Sequence, residues 1–214
     1  MKDSSAGRKP DDYYGQRRPE LVALLPDSLG RVLDVGCGAG GVGRTIRERA
    51  TSLTGIELDE QAAALAREVY DQVLVGDVDA RLDELEPPFD TILVYDVLEH
   101  LASPESVLRR LRALAAPGAL LHVSVPNARH FTLVRDLVFH GTFGYTEMGH
   151  RDSTHVRWLT RADLVALLTA AGWSVERTAH ASLSRPGRLA ERVTRGLSAE
   201  FTVYQWSALA RAPV

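Results

Sequence analysis

Apolar residues along this chain fall into short runs, separated by polar stretches whose hydrophobic positions recur at helical spacing. Val32, Leu33 and Val35 make the first run, and Ser52–Glu57, Gln72–Asp77, Phe89–Tyr95 and Ala119–Val125 follow, each read as a strand. Between them, 45–50, 60–70 with Asp59 as N-cap, and 105–116 read as helices. In the third of these, Val107, Leu108, Leu111 and Leu114 line one face, Ser103 caps, Pro104 opens, and Pro117-Gly118 stop the helix. Thr160 caps another helix through Ala171, which Gly172 ends. Trp173–Thr178 then reads as a sixth strand and Phe201–Ala210 as a last, antiparallel one. Strands alternating with helices in this rhythm predict an α/β fold built on a parallel sheet with right-handed crossovers.

Two segments interrupt the rhythm. Residues 1–12 are polar and read as a tail, and 13–25 as an aromatic-basic stretch leading into a short helix. Residues 1–30 together are expected to form a tail and lid helix. Tyr14 or Arg18 could touch one end of a bound cofactor, though simple packing and solvation is the favoured reading of these side chains. Residues 128–158 carry His130, His140, His150 and His155 among aromatic residues and glycines. A connection this long without an element of its own is read as a substrate cap. The whole chain, 1–214, is read as one domain.

The chemistry concentrates where the first strand ends. Residues 31–43 read Arg-Val-Leu-Asp-Val-Gly-Cys-Gly-Ala-Gly-Gly-Val-Gly, a strand running through bare backbone into a helix. That is how an open α/β sheet builds a nucleotide pocket. The glycines satisfy the dinucleotide pattern, so the nucleotide stays open on their spacing alone. Asp34 narrows it, because a carboxylate there can face an ammonium and a sulfonium and would repel a pyrophosphate. Glu57 ends the second strand roughly 20 residues beyond Gly36, the distance at which an acid reaches ribose hydroxyls. Asp77 ends the third strand with another acid.

Composition excludes several classes. A formal net charge of −3 argues against a bulk nucleic-acid binder. The single cysteine, Cys37, rules out a disulfide framework within one chain and suits a reducing cytoplasm. The N-terminus lacks the apolar core of a signal peptide, and no apolar run reaches membrane-spanning length. Arg185, Arg188, Arg192 and Arg195 would share one face if their segment is helical.

The glycine loop, Glu57, Asp77, and Phe89-Asp90 leading into Tyr95-Asp96-Val-Leu-Glu-His-Leu resemble, in order, the class I S-adenosylmethionine-dependent methyltransferases. Val-Leu-Glu-His-Leu is similar to the branch that includes ubiquinone-biosynthesis O-methyltransferases. The resemblance implies a Rossmann-like, seven-stranded, mostly parallel sheet with helices on both faces. It places the cofactor across the strand tips, against Asp34, Gly36, Cys37, Gly38 and Gly40 on the loop. Glu57, Leu58, Asp77, Val78 and Tyr95 complete that set, with Asp77 toward the adenine amino group.

A narrower likeness concerns catalysis. Asp96, Glu99 and His100, with His155 five residues before Thr160, resemble the cation-binding set of plant small-RNA 2′-O-methyltransferases. Asp96 stands where that set has a glutamate, one methylene shorter. Carboxylates with imidazoles suit Mg²⁺, Mn²⁺ or Zn²⁺. Without a metal, His100 or His155 is a candidate general base, and structural roles for the cluster stay open. The expected reaction is methyl transfer to a hydroxyl of a sugar, phenol or specialised metabolite. The alternative is metal-free N-methylation of a small amine. No nucleic-acid or membrane partner is expected, and a homodimer is compatible with the chain.

Overall fold

The computed structural model describes residues 14–180 and 198–214. Residues 1–13 and the arginine series at 185, 188, 192 and 195 lie outside them. Seven strands form one sheet: β1 (Gly30–Val35), β2 (Ala50–Glu57), β3 (Gln72–Val75), β4 (Phe89–Tyr95), β5 (Ala115–Pro126), β6 (Ser174–His180) and β7 (Gln205–Arg211). Their order is β3-β2-β1-β4-β5-β7-β6. Strands β1 to β5 pair in parallel, and β7 runs antiparallel to both β5 and β6. The expected sheet is therefore present.

The strand interiors are apolar on both faces, as a sheet covered on two sides requires. Leu33, Val35, Ile92, Val94, Leu121 and Val123 meet Val107, Leu108 and Leu111 of the helix Pro104–Leu114 on one side. Val32, Leu53, Leu93 and Leu120 pack on Leu21, Leu29, Ile46 and Tyr70 on the other. Trp173 is buried in the first layer, and its indole N–H donates to the Leu108 carbonyl at 3.0 Å.

Several boundaries differ from expectation. Pro117-Gly118 do not stop a helix; they lie inside β5, which begins at Ala115 with a register irregularity against β4. Ser103 holds the cap position, but its hydroxyl makes no cap hydrogen bond. The helix expected over 60–70 spans Glu60–Ala66, and the one over 45–50 ends at Ile46 before a short 3-10 turn. Residues Ala199–Thr202 are helical, so the last strand starts only at Gln205. The cap is not structureless, since Phe131–His140 forms a helix ended by Gly141 at φ 65°.

Local capping was legible. Asp59 accepts from the Ala62 N–H at 2.8 Å. Thr160 and Asp163 form a reciprocal capping box at the start of the helix Arg161–Ala170. Thr160→Ala is expected to cost about 1 kcal/mol. A thermal melt should show this as a fall of roughly 2–4 °C, and an unchanged melt would show the box to be idle.

Candidate active site

The sheet order reverses between β1 and β4, and in open α/β folds that switch point opens a crevice at the carboxyl ends of the strands. The glycine loop sits there. The Gly36 and Cys37 N–H groups both donate to the Ile56 carbonyl, at 2.8 and 3.1 Å, which ties the loop to β2. Glu57, buried at the tip of β2, accepts from the Gly38 N–H at 2.8 Å and from the Asp59 N–H at 2.9 Å. Burial raises its carboxyl pKa despite those donors.

Gly38 has φ 55°, and a Cβ there would stand 2.5 Å from the Tyr14 carbonyl oxygen. The bare loop thus admits the N-terminal segment, whose Tyr14 carbonyl accepts from the Ala39 N–H at 2.8 Å. Arg18, farther along the same segment, reaches the Asp96 carboxylate beyond β4.

Asp34 is 2% exposed and accepts from the hydroxyl of Tyr70. Tyr70 reaches it only because Gly43 is bare, since a Cβ there would collide with the phenol ring. Burial, reinforced by nearby Glu57, pushes the Asp34 carboxyl up to about 7 against the opposing pull of that hydroxyl. Cys37 is buried against Gly55, and burial raises its thiol pKa. Leu58 is 72% exposed beside Glu57. Asp77 is exposed and accepts from the Asp79 N–H at 2.8 Å, capping the turn that carries buried Val78. The Tyr95 hydroxyl is held at 2.8 Å from His122 Nδ1 inside the core, so its side chain is not part of the open strand edge.

Beyond β4 the chain turns sharply, with Asp96 in the left-handed region at φ 54°. Its carboxylate is gripped by the Arg18 guanidinium and the Gln205 amide, with the Ser124 hydroxyl at 3.4 Å. Antiparallel β7 begins at Gln205 opposite Pro126, which brings that amide to the same edge as the parallel strand tips.

The following 3-10 turn, Leu98–His100, buries Glu99 at 2% exposure. Neither Glu99 oxygen has a hydrogen-bond partner. Its backbone carbonyl accepts from the Val156 and Arg157 N–H groups at 2.9 and 3.1 Å, which docks the end of the cap beside it. His155 Nε2 stands 4.0 Å from Glu99 Oε1, and the His100 and His155 rings meet edge-on at 4.8 Å between centroids. One ligand atom from each of Glu99, His100 and His155 lies within 4.8 Å of the others. Asp96 is not in this group: Arg18 and Gln205 draw its carboxylate away. Burial and the neighbouring Asp96 charge push the Glu99 carboxyl well above the usual range.

A small cleft opens here, lined by Glu99, His155, His150, Asn127 and Trp158. Trp158 leads outward to Phe143 and Tyr145, with ring centroids at 5.3 and 6.2 Å. A larger opening lies at the amino edge of the sheet beside Asp90, whose carboxylate accepts the Arg31 N–H at 2.8 Å. It holds none of the clustered chemistry. Of the other histidines, His150 packs on Tyr204 and His130 approaches the Thr132 hydroxyl at 2.8 Å, while His140 is exposed.

The family model described as Methyltransferase domain matches residues 9–178. The chain belongs to that family. It is a class I S-adenosylmethionine-dependent methyltransferase. A ubiquinone biosynthesis O-methyltransferase of Aeromonas salmonicida is 25% identical over 202 residues, 87% of this chain and 84% of that one. A probable S-adenosylmethionine-dependent methyltransferase of Mycolicibacterium smegmatis is 30% identical over 78% of this chain and 62% of its own length. The crystal structure of a SAM-dependent methyltransferase from Archaeoglobus fulgidus shares the fold, with a TM-score of 0.68, 16% identity and 95% of each chain covered. Among the described residues, no helix of this methyltransferase is long and apolar enough to cross a membrane.

Sequence reasoning missed Tyr70, Gln205, Asp152 and Thr154. None sits in a glycine or acid motif; Tyr70, Gln205 and Thr154 meet partners distant in the chain, and Asp152 meets Thr154.

Proposed function

We propose that this methyltransferase transfers the methyl group of S-adenosylmethionine to a hydroxyl of a small molecule. Glu99, His100 and His155 hold a divalent cation, Mg²⁺ or Mn²⁺, beside that hydroxyl. The observation that supports this most is the Glu99 carboxylate, buried with both oxygens unpartnered and faced by two imidazoles. A buried carboxylate in that state is costly, and a cation is the partner its donor set suits. When bound there, such a cation would supply Lewis acidity that lowers the pKa of an acceptor hydroxyl.

The chain's own residues do the rest. The loop backbone from Gly36 to Gly40 carries the cofactor, and Asp34 lies beneath its methionine end, where the cofactor's positive charge would favour the ionised carboxylate. Glu57 addresses the ribose, exposed Leu58 and buried Val78 flank the base, and Asp77 meets the adenine. Tyr95 contributes through its position at the tip of β4. Asp96 acts by holding Arg18 and Gln205 at the crevice edge, a role that replaces the ligand role expected for it. An imidazole whose lone pair is on a cation takes up no proton, so with the cation bound the hydroxyl proton would leave to water; in its absence His155 or His100 would receive it. Methyl transfer otherwise needs alignment and exclusion of water, which the cap around Trp158 supplies. The O-methyltransferase name of the Aeromonas relative supports hydroxyl over amine as acceptor.

The test is mass spectrometry of a panel of phenols, catechols, sugars and amines incubated with enzyme and deuterated-methyl cofactor. Label should appear on a hydroxyl compound, vanish in EDTA and return with Mn²⁺ or Mg²⁺. Full turnover in EDTA would remove the cation, and label confined to amines would remove the hydroxyl acceptor.

A further inference from the structure

Thr154 and Asp152 form a chain of hydrogen bonds behind His100. The Thr154 hydroxyl donates to Asp152 Oδ1 at 2.7 Å, and its oxygen stands 3.1 Å from His100 Nδ1. The same Asp152 oxygen accepts the Thr154 N–H at 2.9 Å, which pins the hydroxyl's carbon in place. Asp152 is 1% exposed, so no solvent competes for it. A hydroxyl has one proton, and here it is directed to the carboxylate. Toward His100 the Thr154 oxygen can then only accept, so Nδ1 must carry the ring proton.

We propose that Asp152 and Thr154 lock His100 in the Nδ1–H tautomer, so that the nitrogen it offers to Glu99 and His155 is Nε2 with its lone pair. The lock makes Thr154 a positioning residue. It settles which face of the imidazole is basic and, through the Asp152 charge, makes that nitrogen a better donor to a cation or a proton. The Asp152–Thr154 segment immediately precedes His155, so one short stretch of the cap supplies one imidazole and orients the other. The cation part of this inference rests on the reading proposed above; the tautomer itself does not.

The test is ¹⁵N NMR of the histidine rings in the metal-free protein at pH 8, for wild type, Thr154→Val and Thr154→Ser, with Mn²⁺ titrations alongside. In wild type and Thr154→Ser, His100 should show a protonated Nδ1 and an unprotonated Nε2. Thr154→Val, which keeps the shape and removes the hydroxyl, should lose that pattern and weaken Mn²⁺ binding about 10–100-fold. Cofactor binding, read by calorimetry, should be unchanged and shows that the variant is folded. A wild-type His100 protonated on Nε2, or a Thr154→Val spectrum identical to wild type, overturns the lock. A wild type with the expected tautomer and no Mn²⁺ binding supports the lock and sinks the cation reading instead.

Discussion

Glu99→Leu should make the empty protein more stable and the enzyme nearly inactive. Glu99 is buried with both carboxylate oxygens unpartnered. Leaving such a group unsatisfied costs about 1–3 kcal/mol, and an apolar side chain of similar volume avoids that cost. Each kcal/mol raises the melting temperature of a domain this size by roughly 2–4 °C. Activity should fall about 10²–10⁴-fold, the range associated with losing a positioned acid, base or ligand. Stability gained where activity is lost is the mark of a residue kept for its chemistry. A combined melt and turnover assay decides it: a variant that is less stable yet active would make Glu99 a structural residue.

Asp34→Asn should stabilise the protein at pH 8 and leave it unaltered near pH 4. The folded carboxyl is pushed up to about 7 from an ordinary value of 3.8. The folded state therefore keeps a proton that the unfolded chain releases in the lower part of that interval. Stability from this group is fully present below about pH 4 and is lost as pH rises through 7. At roughly 1.4 kcal/mol per pH unit the loss approaches ~4 kcal/mol, an upper figure because water penetration and relaxation soften it. Urea unfolding of wild type and variant at pH 5 and pH 8 measures the difference. A gap that does not widen with pH would contradict the assignment. Tyr70→Phe should act in the opposite direction, since the lost hydroxyl favoured the charged carboxylate.

The two substitutions separate two kinds of acid at one edge of the sheet. Glu99 faces a cleft with nothing bonded to it, while Asp34 is held by Tyr70 and lies beneath the loop. The acid at Asp96 is a third kind. Its motif position resembled a ligand's, but the fold brings Arg18 and Gln205 to it from opposite ends of the chain. A spacing rule sees only the neighbours along the sequence. The same limit explains Tyr95, whose place at a strand tip was legible while its engagement with His122 on the next strand was not. Thr154 and Asp152 carried no signal at all until the cap folded back against Glu99.

Hydrophobic period and glycine placement by themselves determined the alternating elements, the parallel sheet and the loop at the end of the first strand. These are local consequences: a run of apolar residues must be covered, and bare backbone marks where a chain turns closely. Element ends were less legible because register decides them, as when Pro117-Gly118 continue β5 instead of closing a helix. Only the tertiary structure decided that Glu99, His100 and His155 meet, that Asp96 does not join them, and that the Thr154 hydroxyl stands against His100 Nδ1. Those outcomes depend on contacts between residues far apart in the chain. Their energies come from burial and from the partner each polar atom finds, and neither exists before the sheet and cap close together.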